Sequence, residues 1–294
     1  MTAEQNEVPF SLLQMLRGNL SARPIRSALA ATAIAIQVIL MLMIAGLTTG
    51  IFSEWGKRVE GVGADILVQP PNSSIFFALS SAVMQESVGD AIAGLPDVDE
   101  VAPTLILLDQ KHFAVVYGID YRRFSALSQG FLFRQGRPYA TPYEAIADDI
   151  VAHAQHLKVG SRISLLNHEF TVSGIVAHGK GARFFVPLRT AQEISGAENR
   201  VSMFYVRSKG NTEATRAKIV KLLPQDRVRT TSEYITLMNS TNLPELKPFI
   251  RSMVGLGLII SFLVLLLTTH TMVLERTREI GILKALGFSR MGIV

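Results

Sequence analysis

Three short stretches in the middle of the chain carry residue types that could do chemistry. Residues 174–181 read GIVAHGKG, one residue from a phosphate-binding P-loop. A P-loop ends in a Ser or Thr that holds Mg²⁺, and it opens a helix whose N-terminus cradles phosphate. Here that hydroxyl is missing and the next residues, ARFFVPL, predict a strand. We therefore interpret the glycines as a hairpin turn between two strands.

The other two stretches are rich in histidine. Asp149, His153 and His156 are spaced by four and three residues, which places them on one face of a helix and is a plausible metal-binding pattern. A solvated helix face explains that spacing equally well. Residues 168–169 begin an HExxH pattern, but Val172 occupies the position of the second histidine and the context is a strand. The sequence therefore predicts no metal site and no catalytic residue.

A fourth stretch, near the end of the chain, is of a different kind. Residues 275–290 read ERTREIGILKALGFSR and directly follow a strongly apolar run. A simple membrane stop needs only a few basic residues and gains nothing from Glu275 and Glu279. If the stretch is helical, its small residues also permit a close approach of another backbone. We interpret it as a contact surface for another protein.

Two apolar runs must position these stretches. Residues 28–51 carry no charge, and residues 253–273 are broken only by a few polar side chains. At about 1.5 Å per residue, each run can cross a hydrocarbon core about 30 Å thick. The mean hydropathy of +0.30 is also too high for an ordinary soluble domain. The sequence thus predicts a membrane protein with two transmembrane helices.

The charges beside these runs predict an orientation. The basic residues before the first run and after the second are Arg17, Arg23, Arg26, Arg276, Arg278, Lys284 and Arg290. The opposite flanks carry fewer, namely Lys57, Arg58, Lys247 and Arg251. This bias favours a cytoplasmic location for both termini. Most of the net charge of +5 lies in the flanks, where it would meet anionic lipid or an acidic protein surface rather than nucleic acid.

The region between the runs is predicted to be a mixed α/β extracytoplasmic domain inserted between the two transmembrane helices. The predicted helices are residues 83–95, 143–160 and 211–223. The predicted strands are residues 101–108, 113–120, 162–166, 170–178, 183–188 and 201–208. Because the chain has no cysteine, no disulfide staples this domain, and the redox compartment stays open.

Four segments together resemble a known family. Residues 276–287 (RTREIGILKALG) look like the coupling motif of the MacB/FtsX-type permeases of ABC transporters, which include the lipoprotein-release permeases. Residues 23–36 (RPIRSALAATAIAI) and 62–70 (VGADILVQP) are similar to segments at the family's first membrane helix. Residues 144–176 resemble its extracytoplasmic core.

This resemblance implies a permease, either a homodimer or one member of a permease pair, that works with a separate cytoplasmic ATPase subunit. ATP would bind that subunit, so no cofactor is expected in this chain and the chain itself is not expected to be an enzyme. ATP-driven closure would move the external domains and so export or release a substrate. The coupling motif would dock on the ATPase through Glu275, Arg276, Arg278, Glu279, Ile280, Gly281, Lys284, Ala285, Leu286 and Gly287.

The expected organisation along the chain has five parts. They are a cytoplasmic amphipathic segment (1–26), transmembrane helix 1 (27–51), the extracytoplasmic domain (52–250), transmembrane helix 2 (251–273) and the cytoplasmic coupling segment (274–294). The expected location is the plasma (inner) membrane.

Several alternatives stay open. The family has four spans, so we expect either a truncated chain or a two-span variant. The sequence leaves open the substrate and whether a periplasmic adaptor joins the complex. The alternative function is a membrane-anchored sensor or scaffold with an extracytoplasmic ligand-binding domain.

Overall fold

The computed structural model describes residues 24–74 and 82–238, together with helical positions between residues 251 and 285. Those positions are 251, 252, 254–260, 262, 263, 266, 270, 274, 277, 281, 282 and 285. The chain divides into two compact units, one comprising Met1–Thr48 and Pro244–Val294 and the other Thr49–Leu243. The predicted amphipathic face of the first 23 residues lies outside the described residues.

Helix α1, Pro24–Glu60, contains the first apolar run and continues past it. Apolar side chains such as Ile39, Leu42 and Leu47 are exposed along the run. Lys57 and Arg58 lie in the last turn, where positive charge is favourable beside the negative end of the helix dipole. Within the part of the chain that the structure describes, no helix is both long enough and apolar enough to cross a membrane. The membrane spans therefore stay a prediction.

The unit Thr49–Leu243 is built on one large mixed sheet. Its strands are β1 (Ile66–Gln69), β3 (Val98–Asp109), β4 (Ala114–Ile119), β5 (Phe133–Gly136), β6 (Glu144–Asp148), β7 (Arg162–Leu165), β8 (His168–Val176), β9 (Phe184–Pro187), β11 (Met203–Ser208) and β12 (Arg227–Thr230). The order across the sheet is β12-β1-β11-β3-β4-β9-β6-β8-β5, and β7 pairs with β8. Two short strands, β2 (Met84–Gln85) and β10 (Arg200–Val201), form a separate antiparallel pair.

Short helices connect these strands. They are α2 (Ser87–Ala93), α3 (Tyr121–Leu127), α4 (Asp149–Ala154), α5 (Leu188–Ser195), α6 (Thr212–Leu222) and α7 (Thr231–Met238). Three of them begin after a polar residue whose side chain accepts hydrogen bonds from the first free backbone N–H groups: Asp120, Asp148 and Asn211. Gly196 ends α5 with a φ of +65°, a left-handed conformation that glycine adopts without strain.

Side chains alternate between the two faces of the sheet and form two buried cores. One, which we call the α1-side core, combines strand residues such as Leu67 and Phe185 with Val59 from the end of α1, residues of α3, and Tyr234 of α7. The other, the opposite core, combines strand residues such as Ile66 with residues of α2, α4, α5 and α6. This arrangement confirms the predicted mixed α/β domain.

Two of the predicted helices are shorter in the structure than the sequence predicted. Residues 143–160 were predicted as one helix, but Glu144–Asp148 form a strand and only Asp149–Ala154 are helical. Residues 145–148 of this strand are all buried, so both of its faces are covered and its apolar run has no period that separates strand from helix. In 83–95, likewise, Met84–Gln85 pair with Arg200–Val201 before the helix begins.

Candidate functional site

The end of helix α1 is held inside the α1-side core. Val59 and Val62 are fully buried there, and Trp55 packs against the same cluster. Gly56 faces α7, where an added Cβ would lie 3.7 Å from the side chain of Ile235. The last two turns of α1 therefore belong to the folded domain, because they bury apolar side chains in its core.

A buried ion pair links this helix end to the end of strand β6. Arg58 is 5% exposed and Asp148 is 1% exposed, and the Arg58 Nη2 and Asp148 Oδ2 atoms are 3.6 Å apart. The same carboxylate oxygen accepts a hydrogen bond of 2.8 Å from Arg183 Nη1. Arg58 Nε also donates to Glu54 Oε1 at 3.1 Å, one turn back along α1. A buried charge is tolerated only when it is paired, so these contacts depend on one another.

Asp148 has a second role that orients its carboxylate. Its Oδ1 atom accepts a 2.7 Å hydrogen bond from the backbone N–H of Val151 and so caps helix α4. Its own backbone N–H donates to the carbonyl of Arg183 at 2.9 Å. One oxygen therefore caps a helix while the other meets two guanidinium groups. We call Arg58, Asp148 and Arg183 the clamp.

The end of helix α1 packs against the glycine-rich stretch 174–181. The Gly181 N–H donates to the carbonyl of Arg58 at 3.0 Å. A Cβ on Gly61 would overlap the Gly179 carbonyl, and a Cβ on Gly181 would overlap the Tyr117 ring. Gly179 and Gly181 also have φ values of +108° and +80°, which glycine adopts without strain. The glycines thus serve close packing against α1.

The prediction of a strand after this stretch is confirmed, but the hairpin is wrong. Strands β8 and β9 flank the turn without pairing, because β6 lies between them. Lys180, the residue in the P-loop lysine position, donates from Nζ to the carbonyl of Ser128 and lies 5.9 Å from the centre of the Phe131 ring. Burial, and next the nearby Arg207, lower the pKa of Lys180. Its ammonium is therefore engaged within the domain.

Three tyrosines extend the polar contacts within the α1-side core. The hydroxyls of Tyr117 and Tyr205 are 3.0 Å apart and fully buried. Burial raises the pKa of Tyr117 to about 12, and it raises the pKa values of Tyr205 and Tyr234 as well. All three side chains are neutral at physiological pH and add directional contacts beside the clamp.

The predicted histidine face does not form. Helix α4 ends at Ala154, and His156 has a left-handed φ of +54°, so it leaves the helix face that carries Asp149 and His153. Asp149 instead accepts hydrogen bonds from His178, at 2.8 Å from Nδ1 and 3.1 Å from the backbone N–H. The described residues contain no group of three or more potential metal ligands. His168 begins strand β8, as the sequence predicted for that context.

The predicted ATPase-contact residues lie mostly outside the described residues. Of these, Gly281 and Ala285 are described, and both are helical, as are Thr277 and Ile282. Among the described residues, nothing lies within 4 Å of a Cβ built on Gly281. The other eight lie outside the described residues: Glu275, Arg276, Arg278, Glu279, Ile280, Lys284, Leu286 and Gly287. All ten stay predictions as ATPase contacts.

Sequence reasoning missed the clamp. Arg58, Asp148 and Arg183 are far apart along the chain, and only the fold brings them together. Two signals were present. A charged residue, Arg58, directly precedes the apolar Val59 at the end of a long apolar helix. Asp148 also stands three residues before Val151, which is the spacing of a helix N-cap.

Comparison with known protein families identifies the family of this chain. The model of the MacB-like periplasmic core domain matches residues 27–222, and the model of the FtsX-like permease C-terminal matches residues 251–294. None of the curated proteins matches the chain significantly.

Among solved structures, the chain is similar to the periplasmic region of MacB from Actinobacillus actinomycetemcomitans, with 16% identity and a TM-score of 0.47 over 62% of this chain and 96% of that one. It is also similar to the extracellular domain of the noncanonic ABC-type transporter YknZ from Gram-positive bacteria. That match has 13% identity and a TM-score of 0.43 over 57% of this chain and 98% of that one. The two family matches confirm the resemblance read from the sequence. The chain belongs to the MacB/FtsX-like permease family of ABC transporters.

Proposed function

We propose that this chain is a permease subunit that couples ATP hydrolysis on a separate cytoplasmic ATPase to movement of its own external domain. That movement would drive the export or release of a substrate. Permeases of this family belong to ABC transporters, which supports the class of function. The chemistry of ATP hydrolysis is assigned to the partner subunit, so the permease contributes force transmission rather than catalysis.

The observation that carries the proposal is the clamp. A helix can move a domain only if its end is fixed to that domain by contacts that resist bending and rotation. Apolar burial alone is non-directional, whereas hydrogen bonds fix an orientation. The Gly181 N–H bond to the Arg58 carbonyl and the Arg183 bond to Asp148 are contacts of this kind, and the Arg58–Asp148 ion pair at 3.6 Å adds charge attraction.

The other end of the proposed path is the segment 274–294. We infer that it forms a coupling helix whose Glu279 accepts charge-assisted hydrogen bonds from the ATPase, with Gly281 and Gly287 permitting close approach. The spans 27–51 and 251–273 would lie in the inner membrane with both termini in the cytoplasm. The transporter would contain a second permease copy or a paired permease.

Co-purification with the ATPase tests this proposal. We expect the full chain to retain a cytoplasmic ABC ATPase and to stimulate its hydrolysis, and Glu279→Lys to lose both effects. Loss of a charge-assisted bond of about 1.5–3 kcal/mol corresponds to at least about tenfold weaker binding. Glu193→Lys, the same charge reversal at an exposed position on α5, is the matched control and should bind like wild type.

If Glu279→Lys and Gly281→Leu both bind and stimulate like wild type, the segment is only a charged membrane stop. The alternative of a membrane-anchored sensor or scaffold would then be favoured.

A further inference from the structure

The domain also has a cleft whose lining does not include the clamp residues Arg58, Asp148 and Arg183. It is open, has a volume of about 450 Å³, and lies between strand β5 and helix α4. Its floor is apolar and is formed by Ala152, Leu157 and Ile175. Its volume is within the range of about 300–1,000 Å³ that is usual for sites of small molecules.

The rim of the cleft is basic. Arg134 and Lys158 contribute two permanent cations, and His153 and His156 add two imidazoles. Lys158 and both imidazoles are exposed. Within the described part of the chain, the Arg134 guanidinium forms an ion pair at 3.8 Å but no hydrogen bond. Its donors are therefore available to a bound anion.

Asp149 is the one carboxylate among the described residues that line the cleft, and it is already engaged. Burial alone would raise its pKa, but hydrogen bonds from the His178 ring and backbone, with Arg134 beyond, lower it. Asp149 is consequently an anion at neutral pH that is compensated mainly by His178, outside the cleft lining. The rim keeps a net positive charge because Lys158 and Arg134 outnumber this one carboxylate.

The wall of the cleft is fixed by hydrogen bonds that its backbone N–H groups donate. The Leu157 N–H donates to the carbonyl of Ala152 at 2.8 Å, and the Lys158 N–H donates to Ser161 Oγ at 2.9 Å. The Gly160 N–H donates to the carbonyl of Val172 at 2.8 Å, which ties the loop to strand β8. A preformed wall lowers the entropy cost of binding.

We propose that this cleft binds an amphipathic carboxylate, with the carboxylate on Arg134 and Lys158 and a short apolar body on Ala152, Leu157 and Ile175. The planar guanidinium and the ammonium suit a carboxylate, and the floor excludes ligands that are polar throughout. Such a carboxylate occurs at the C-terminus of a peptide and at the head of a fatty acid. This site is independent of the ATPase contact.

The test uses the purified full chain, without ATPase, and 4-methylpentanoate as the probe, titrated by ligand-observed NMR. We expect saturable binding of the probe and at least about tenfold weaker binding of its uncharged amide. Acetate, which lacks the apolar body, should also bind weakly. A tripeptide ending in Leu, compared with its C-terminal amide, and octanoate then separate the peptide source from the fatty-acid source.

Two variants with matched controls locate the binding. Arg134→Gln and Lys158→Gln should each weaken probe binding at least about tenfold. Arg122→Gln and Lys111→Gln remove the same charges at exposed positions away from the cleft and should leave binding unchanged. Circular dichroism of each variant confirms that it is folded. Equal binding of the probe and its amide, wild-type affinity in both cleft variants, or no saturable binding would overturn the proposal.

Discussion

The two faces of the sheet bury side chains in different ways. The opposite core packs apolar residues of the sheet under α2, α4, α5 and α6. The α1-side core adds to such burial the Tyr117–Tyr205 hydroxyl pair and, at its border, the clamp around Asp148. Burial holds a domain together without fixing a direction, whereas the directional contacts set the orientation of one helix end.

This difference predicts that mutations in the two cores have different effects. Contacts in the opposite core should govern stability alone. Contacts in the α1-side core should govern stability and also the link between α1 and the sheet. Trp55, the only tryptophan of the chain, packs against the α1-side core and reports on that link by its fluorescence.

The largest effect is expected at Asp148. Asp148→Ala removes the buried partner of Arg58, leaving it the half-exposed Glu54, and also removes the cap of α4, so the free energy of unfolding should fall by about 3–5 kcal/mol. Emission of Trp55 in the native state should shift to longer wavelength as water reaches the end of α1. Denaturant unfolding of the full chain, followed by Trp55 fluorescence, measures both effects.

Asp148→Asn sharpens this prediction, since the amide keeps an oxygen for the Val151 N–H but loses the charge. It should destabilise the chain less than Asp148→Ala. If both variants keep wild-type stability and native Trp55 emission, the clamp does not hold the helix end.

A comparable loss of stability without the Trp55 effect is expected in the opposite core. Ile92 is fully buried there, and Ile92→Ala should lower the free energy of unfolding by about 2–5 kcal/mol through lost burial and a residual cavity. Trp55 emission of the native state should stay at its wild-type wavelength. A shift as large as that of Asp148→Ala would break the distinction between the two faces.

The smallest effect is expected at the tyrosine pair. Tyr117→Phe leaves the Tyr205 hydroxyl without this partner and should cost about 1–3 kcal/mol at neutral pH. The pKa of Tyr117 rises from 10.0 to about 12 on folding, so the stabilisation is complete below pH 10 and is lost as the pH rises towards 12.

The wild type should therefore lose up to roughly 2.7 kcal/mol more than Tyr117→Phe across that interval. Unfolding at pH 9 and pH 12 measures the difference. Parallel pH profiles would show that Tyr117 ionises freely in the folded state.

The sequence predicted the elements whose pattern is local. The strands at β3, β4, β8, β9 and β11 were recognised because they are apolar runs bounded by turn residues. Strand β6 was read as a helix, since burial on both faces leaves it without alternation. Helix α5 was missed because Leu188–Ser195 is short and follows a strand without a side-chain cap.

The residues of the candidate site also differ in whether a local sequence pattern contains them. The coupling segment was found from a contiguous motif, and its assignment as an ATPase contact stays a prediction. The clamp depends on residues brought together by β6, β9 and the end of α1, so no local pattern contains it. The strand predicted after the stretch 174–181 is confirmed, but the packing of this stretch against the end of α1 could be seen only in the fold.

The most direct test of force transmission is a distance between the two permease copies of an assembled transporter. Because the chain has no cysteine, Lys209→Cys, at an exposed position after β11, can carry a single spin label in each copy. With the ATPase bound, ATP should shift the distance distribution between the two labels, and Asp148→Asn should reduce that shift while the ATPase stays bound. An ATP-independent distance in the wild type, or an unreduced shift in Asp148→Asn, would contradict transmission through the clamp.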